Sequence, residues 1–241
     1  MTFEDFLSQV DRLGGGKLIG PPSSYAILKM MYDVKKFLSS RGNPSVLNIF
    51  ASRDDSGFRE EIYKNIFQGT QYTGIDFWQD KFIFEGKHLP NSHTLPFGDS
   101  GFDAVITTKI IMEHVSEPEL TIKEIARVLK SGGEAFLIAS FVKPVHQEPY
   151  DFFRFTEHGL RHLFEKANLR VIYINPTSTS FYTVNSYLAS FNIFMVFPKG
   201  IYYRIKWLLK KLYIPMVKFL DRYINDYGKL PEYYVCRVSK K

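Results

Sequence analysis

The chain has 241 residues, 45% hydrophobic and 23% charged, with no repeat or low-complexity tract, which suits one globular domain with an elaboration. Its single cysteine, Cys236, excludes an internal disulfide framework and a cysteine-based metal cluster, so a reducing compartment is expected. The net charge of +6 is concentrated, because seven basic residues between Lys199 and Arg222 face one acid, Asp221, and account for all of it.

The N-terminal stretch MTFEDFLSQVDRL carries Glu4, Asp5 and Asp11 among its apolar residues and lacks the basic start and apolar centre of a signal peptide. No uninterrupted apolar run approaches the roughly 20 residues of a spanning helix. A cytoplasmic protein is expected, soluble or peripheral on the inner face of the membrane. After the turn Gly14 to Lys17, Pro21 to Ser24 reads as a helix start, and Ile27, Met30, Met31, Val34 and Leu38 recur at helical spacing. Arg41 to Pro44 ends that helix, and the apolar run Val46 to Phe50 reads as a buried strand entering the polar loop ASRDDSG.

Strands and helices then alternate. Tyr72–Phe77 and Phe102–Thr107 read as strands, and Pro118–Lys130 as a helix with Ile122, Ile125, Ala126 and Leu129 on one face, stopped at Ser131-Gly132-Gly133. Glu134–Ser140 reads as a buried strand, Thr156 caps a helix carrying Leu160, Leu163, Phe164 and Ala167, and Val171–Ile174 is a further strand. Such alternation predicts an α/β fold with a mostly parallel sheet covered on both faces. Ligands of such sheets lie at the carboxyl ends of the strands. Residues 185–222 are aromatic and basic, and Tyr233–Val238 reads as a closing strand. The expected organisation is therefore an N-terminal helical extension over 1–44, a core over 45–175 plus 231–241, and a helical insertion over 176–230 before the last strand.

Leu95 to Ser140, LPFGDSGFDAVITTKIIMEHVSEPELTIKEIARVLKSGGEAFLIAS, closely resembles the central half of class I S-adenosylmethionine-dependent methyltransferases of the small-molecule, type 11-like group. LPF, FD with its strand, an EH pair, a helix ending in RVLK and an SGG turn before another strand occur in the family's order and spacing. The resemblance extends upstream to YTGID, Tyr72 to Asp76. Downstream it reaches HQEPYDFFRFTEHGLRHLFEKANL, His146 to Leu169, a segment similar to one in methyltransferases linked to glycan or lipid-linked substrates. It implies a Rossmann-like, doubly wound sheet of seven strands, with S-adenosylmethionine as cofactor.

The same resemblance implies site residues. Asp76, with Phe77 beside it, would hold the cofactor ribose; Asn48, Phe50, Ala51 and Ser52 its methionine part; Asn91 and Ser92 the adenine side; Thr108 follows the next strand. The family's Asp and G-x-G-x-G are replaced here by Asn48, Phe50, Ala51, Ser52, Arg53 and Asp54, so none of those glycines is kept, and Asn91 stands where an acid is common.

Methyl transfer is an in-line displacement that depends chiefly on alignment. A hydroxyl acceptor also needs a base, for which imidazole is suited near neutral pH. His114 in the EHV turn and His146 after the strand ending at Ser140 are the catalytic candidates, with a structural turn role open for His114. Glu148, Tyr150, Asp151 and Arg154 around His146 read as a substrate-binding cluster or as a loop pinned by its own salt bridges. His158 and His162 have a metal-like i, i+4 spacing but no apparent third ligand, so no metal is expected. His88 and His93 lie in a loop; Asp103 and Arg127 look structural.

Along 201–212, Ile205, Leu208, Leu209 and Leu212 share one helical face, while Arg204, Lys206, Lys210 and Lys211 take the other. This suits a helix lying in an anionic membrane interface or a lid with a solvated basic face. Nucleic acid is not expected, because one basic patch without a recognised binding motif does not make a partner. The function expected is methyl transfer, at oxygen, to a small-molecule or glycan- or lipid-linked acceptor. The rival is a degenerate methyltransferase fold acting as a binding or scaffold module at a membrane-associated assembly.

Overall fold

The computed structural model describes residues 1–13, 22–50, 60–107, 112–190, 199–221, 223 and 228–241. Two helices, α1 (Phe3–Arg12) and α2 (Pro22–Ser39), precede β1 (Ser45–Phe50), α3 (Glu60–Ile66), β2 (Gln71–Trp78), β3 (Lys81–Phe84), β4 (Lys87–His88) and β5 (Phe102–Thr107). Then come a single turn, Met112–His114, α4 (Pro118–Val128), β6 (Leu129–Ser140), α5 (Glu157–Lys166) and β7 (Leu169–Pro176). Helices α6 (Ser180–Ser190), α7 (Lys199–Leu208) and α8 (Ile214–Asp221) form the insertion before β8 (Tyr233–Lys240), with a wider turn, Leu209–Tyr213, joining the last two helices.

The strands make one sheet in the order β4-β3-β2-β1-β5-β6-β8-β7. Strands β2, β1, β5 and β6 run parallel; β8 is antiparallel to both β6 and β7. The chain builds outward from β1 to β2 and then returns to β5 on the other flank, so the order reverses between β1 and β5. That reversal opens the ligand crevice of an open parallel sheet. The sheet has eight strands rather than the seven expected, because an antiparallel hairpin, β3 on β2 and β4 on β3, forms the outer edge. Its turns carry Gln79, Asp80, Glu85 and Gly86 at positive φ. The fold class itself, a doubly wound methyltransferase-type sheet, is as expected.

Period-two alternation sorts the strand residues onto two faces. Leu47, Val105, Leu137, Cys236 and Val238 join the core beneath α4 and α5. Val46, Ala104, Ile106, Phe136, Ile138 and Val235 join a second core with Phe6, Val10, Met31, Val34 and Leu38 of α1 and α2. Helices α1 and α2, together with Tyr63 and Ile66 of α3, thus supply one of the two layers that cover the sheet.

At the amino ends of the strands, Asp103 ties the elements together. It accepts from Ser45 N and Oγ, each at 2.9 Å, from Lys130 at 2.7 Å and from Arg41 at 3.2 Å. Arg127 braces the LPF loop through Asp99, Glu124 and the carbonyls of Leu95 and Phe97. Helix α4 stops at Val128 rather than Lys130, and Leu129 already pairs with Phe102. The SGG turn therefore lies within β6 as an irregularity, where Gly133 passes so close to the carbonyls of Lys130, Asp103 and Phe102 that a Cβ would sit 2.8–3.2 Å from them.

Candidate active site

The carboxyl ends of β5 and β6 lead into the turn Met112–His114 and the loop 141–156. That loop folds back: Phe152 N and Phe153 N donate to the Glu113 carbonyl at 2.8 and 3.3 Å, and Phe155 N donates to Ser140 O at 2.8 Å. Glu113 is thereby closed in, with 0% of its surface exposed, and His114 is buried beside it. The Ser140 hydroxyl donates to Glu113 Oε1. Oε2, in contrast, is buried with no hydrogen-bond partner among the described residues. Burial pushes the Glu113 carboxyl above its ordinary range, and the Ser140 bond opposes this only in part.

The two imidazoles meet edge to face with centroids 4.8 Å apart. His114 Nδ1 lies 2.5 Å from the Tyr150 carbonyl, to which it must donate. His146 Nδ1 lies 3.0 Å from Pro144 O and 3.3 Å from Asp151 Oδ2, both acceptors, so it too carries the proton. Each ring is left with an Nε2 lone pair, and that of His146 is 3.9 Å from Glu113 Oε1. Burial moves the His114 pKa down, which keeps this ring neutral, although the Tyr150 carbonyl pulls the other way.

The predicted substrate cluster divides. Arg154 clasps Asp151 through both terminal nitrogens at 2.6 and 2.8 Å and caps the carbonyls of Lys143 and Pro144 at 3.1 Å. This ion pair holds the Asp151 carboxyl at about 2. Asp151 also accepts from His146 N at 2.8 Å, so the pair braces the loop that presents His146. Tyr150 contributes its carbonyl to His114. Glu148 is exposed at the loop tip. The sequence alone does not single out Glu113 as a site residue; the EH pair marks its place, but only the folded-back loop reveals its burial.

On the other side of the crevice, Asp76 lies level with Phe50 across the β1–β2 pair, at the carboxyl end of β1, and its Oδ1 accepts from Phe77 N at 2.8 Å. Phe77 is buried in the core against Phe82, with centroids 5.8 Å apart. Asn48, buried, donates to Tyr72 Oη at 2.9 Å. Ser92 donates to Asp80, which also takes Ser116 N at 3.0 Å, so Ser92 ties the β4–β5 loop to the start of α4. Asn91 Oδ1 accepts from His93 N at 3.0 Å, and the Asn91 carbonyl faces Phe82 N, the partner of Phe77. Close by in the chain, His93 Nδ1 is buried without a partner among the described residues. Ala51, Ser52 and Thr108 and the direction of the Phe50 ring lie outside the described residues, as do Arg53 and Asp54.

Residues 57–137 match the family described as methyltransferase domain. This stretch is a methyltransferase domain. It contains Asp76, the Asn91–Ser92 loop, β5 and the Glu113–His114 turn. A domain of this kind draws on S-adenosylmethionine, and the residues at the crevice fit that group: Asp76 offers a carboxylate beside the end of β1, and His93 Nδ1 is a buried polar atom awaiting a partner.

No curated protein matches the chain. Solved structures similar to it include a methyltransferase from Bacillus halodurans, 13% identical, covering 89% of this chain and 98% of that one with a TM-score of 0.48. A second is the Burkholderia thailandensis 1,6-didemethyltoxoflavin-N1-methyltransferase with bound 1,6-didemethyltoxoflavin and S-adenosylhomocysteine, 13% identical over 88% and 78% with a TM-score of 0.48. A third is the cyclase SpnF, 16% identical over 88% and 80% with a TM-score of 0.48. These likenesses decide nothing about the reaction of the methyltransferase domain, which has to follow from its own side chains.

Proposed function

We propose that the chain methylates an oxygen of a small-molecule or glycan- or lipid-linked acceptor, with the acceptor hydroxyl placed at the Glu113–His114–His146 cluster. The observation that carries this reading is His146, whose Nδ1 proton is tied to Asp151 and Pro144 and whose Nε2 lies 3.9 Å from Glu113 Oε1. That is the orientation of a base able to take a hydroxyl proton. When bound, S-adenosylmethionine supplies a methyl group on a positively charged sulfur. Asp76 would take the ribose hydroxyls, and His93 with the Asn91–Ser92 loop would line the adenine side. The acceptor oxygen would take that methyl group in place of its proton, which would pass to His146 Nε2. Asp151, kept ionised by Arg154, balances the imidazolium.

Calorimetry with S-adenosylmethionine tests the first half. Binding in the micromolar range, weakened at least tenfold in Asp76→Ala, is expected; no heat at millimolar cofactor sinks methyl transfer and leaves the binding-module reading. Labelled methyl transfer into lipid-linked glycan and small phenolic or sugar hydroxyl acceptors tests the second, with His146→Asn lowering kcat by about 10²–10⁴-fold.

The insertion supports peripheral contact with an anionic membrane surface as a further part of the reading. Among the described residues, no helix is long and apolar enough to cross a membrane. Leu208, Leu212, Met216, Phe219 and Tyr223 are nonetheless exposed at intervals of three or four residues from the end of α7 through the wide turn and α8 to just beyond it, with Tyr223 75% and Leu212 63% accessible. A membrane-bound insertion would bring a lipid-linked acceptor toward the crevice, to which Tyr187 of α6 is joined by a 2.7 Å hydrogen bond to Val142 O.

A further inference from the structure

Glu113, His114 and His146 each offer a ligand atom within 4.8 Å of the other two, and their surroundings are those of metal ligands. We propose that they form a site for a borderline divalent cation of the zinc, manganese or iron(II) class. Three observations converge. Both imidazoles donate Nδ1–H to fixed acceptors, Tyr150 O for His114 and Pro144 O with Asp151 for His146. This is the outer shell that holds a ligating histidine in the correct tautomer, with Nε2 turned toward the metal. Glu113 Oε2 is an orphaned carboxylate oxygen in a fully buried side chain, while Ser140 fixes its sister Oε1. A cation supplies the partner that the described residues do not. The donor set of two imidazoles and one carboxylate selects zinc, manganese or iron(II) over the oxygen-seeking calcium and magnesium, and it leaves positions open.

Bonds of about 2.0–2.2 Å bring neighbouring ligands to roughly 3 Å apart. The three atoms need to close by less than about 2 Å, and His146, on the loop 141–156, has the freedom to do so. Its use in the reaction rests on the methyl-transfer reading: the cation binds the acceptor oxygen and lowers its pKa as a Lewis acid, the proton leaves to solvent, and His146 serves as a ligand in place of a base. Occupancy of the site does not depend on that reading.

The test is a cobalt(II) titration of the chelator-treated full chain, followed by its visible d–d absorption and by competition with zinc. One cobalt per chain is expected, with affinity falling at least 100-fold in His114→Ala and in His146→Ala and unchanged in the His158→Ala/His162→Ala double variant. Circular dichroism checks that each variant is folded; His146, half-exposed on its loop, is the substitution best tolerated. An absence of cobalt binding at millimolar metal, or binding and spectra unaltered by His146→Ala, overturns the site. Cobalt lost in His146→Ala alongside no heat from S-adenosylmethionine upholds the site and removes methyl transfer. Heat from S-adenosylmethionine without cobalt binding does the reverse.

Discussion

Asp103 shows how a buried carboxylate is kept charged. Burial alone would raise its pKa, yet Lys130, Ser45 N and Ser45 Oγ outweigh this and hold it at about 2. The folded value lies below the unfolded one of about 3.9, so the contribution is complete above pH ~5 and is lost as pH falls through the folded value. It amounts to roughly 2 kcal/mol at neutral pH. Asp103→Asn should lower the urea-unfolding free energy at pH 7 by about that much, and the gap from wild type should shrink steadily between pH 5 and 2; an unchanged midpoint at pH 7 removes the argument. Gly133 makes a different demand. A Cβ there meets three backbone carbonyls that cannot swing aside, so Gly133→Ala should cost about 1–3 kcal/mol in the same assay, the usual penalty of overpacking. Residues of this kind differ in how well sequence betrays them. FD and SGG mark the places of Asp103 and Gly133, but the groups that set their roles, Ser45, Arg41 and Lys130 for Asp103 and the Phe102 and Asp103 carbonyls for Gly133, come from other parts of the chain. Glu113 carries no such mark: an acid in a polar turn reads as exposed until residues 150–155 are known to fold over it.

Among the elements, those with strong local signals are legible. The helix begun at Thr156 is one, since the Thr156 hydroxyl accepts from Gly159 N at 3.0 Å and Leu160 and Phe164 repeat on the buried face. The β3–β4 hairpin is not, because its turns use Gln79-Asp80 and Glu85-Gly86 in place of the Asn-Gly or Asp-Gly pairs that announce tight hairpins. In the insertion, the helical wheel places Leu208 and Leu212 on an apolar face. Among the described residues, Leu208 and Leu212 of that face remain exposed, as does Trp207, while Thr179, just before α6, is joined to Asp221 of α8 and Asn185 of α6 to Tyr213 of the wide turn. Lys211 lies 4.6 Å from the Trp207 ring centroid, a basic and aromatic pairing suited to headgroup level. Basic residues near an anionic surface contribute about 1 kcal/mol each, so neutralising Lys206, Lys210 and Lys211 should reduce partition by about two orders of magnitude. Flotation with phosphatidylglycerol vesicles checks this. Wild-type protein should float with the vesicles and dissociate as salt rises, Leu212→Glu/Phe219→Glu should remain unbound, and equal recovery of every form in the unbound fraction removes the membrane face.

At the scale of the molecule, the central sheet follows from period-two apolar runs bounded by turns, and its parallel order from the helices between them. What strand patterns do not reveal is how far each layer depends on residues remote in sequence. Residues 1–44 read as an extension because their helical pattern precedes the first strand and the family resemblance does not reach them. In the fold, Phe6, Val10, Leu28, Met30, Met31, Val34 and Leu38 are buried with Val46, Ile106, Phe136 and Ile138 on one sheet face. Burying one such side chain contributes roughly 1.5–3 kcal/mol, so these seven supply about 10–20 kcal/mol gross, as large as the entire net stability of a typical domain, about 5–15 kcal/mol. Among the described residues, polar ties to the sheet include Tyr173 to Asp33 at 3.2 Å, while Lys35 to Gln9 at 2.8 Å joins α2 to α1. A chain beginning at residue 40 would therefore expose a sheet face lined by Val46, Ala104, Ile106, Phe136 and Ile138 and should not unfold cooperatively, although it retains Asp76, Glu113, His114 and His146. Thermal denaturation followed by circular dichroism, together with binding of a dye for exposed apolar surface, decides the matter. Loss of the sharp transition with strong dye binding is the expected result, whereas a truncated chain with the melting temperature of the full one would make residues 1–39 a true appendage to a core that stands without them.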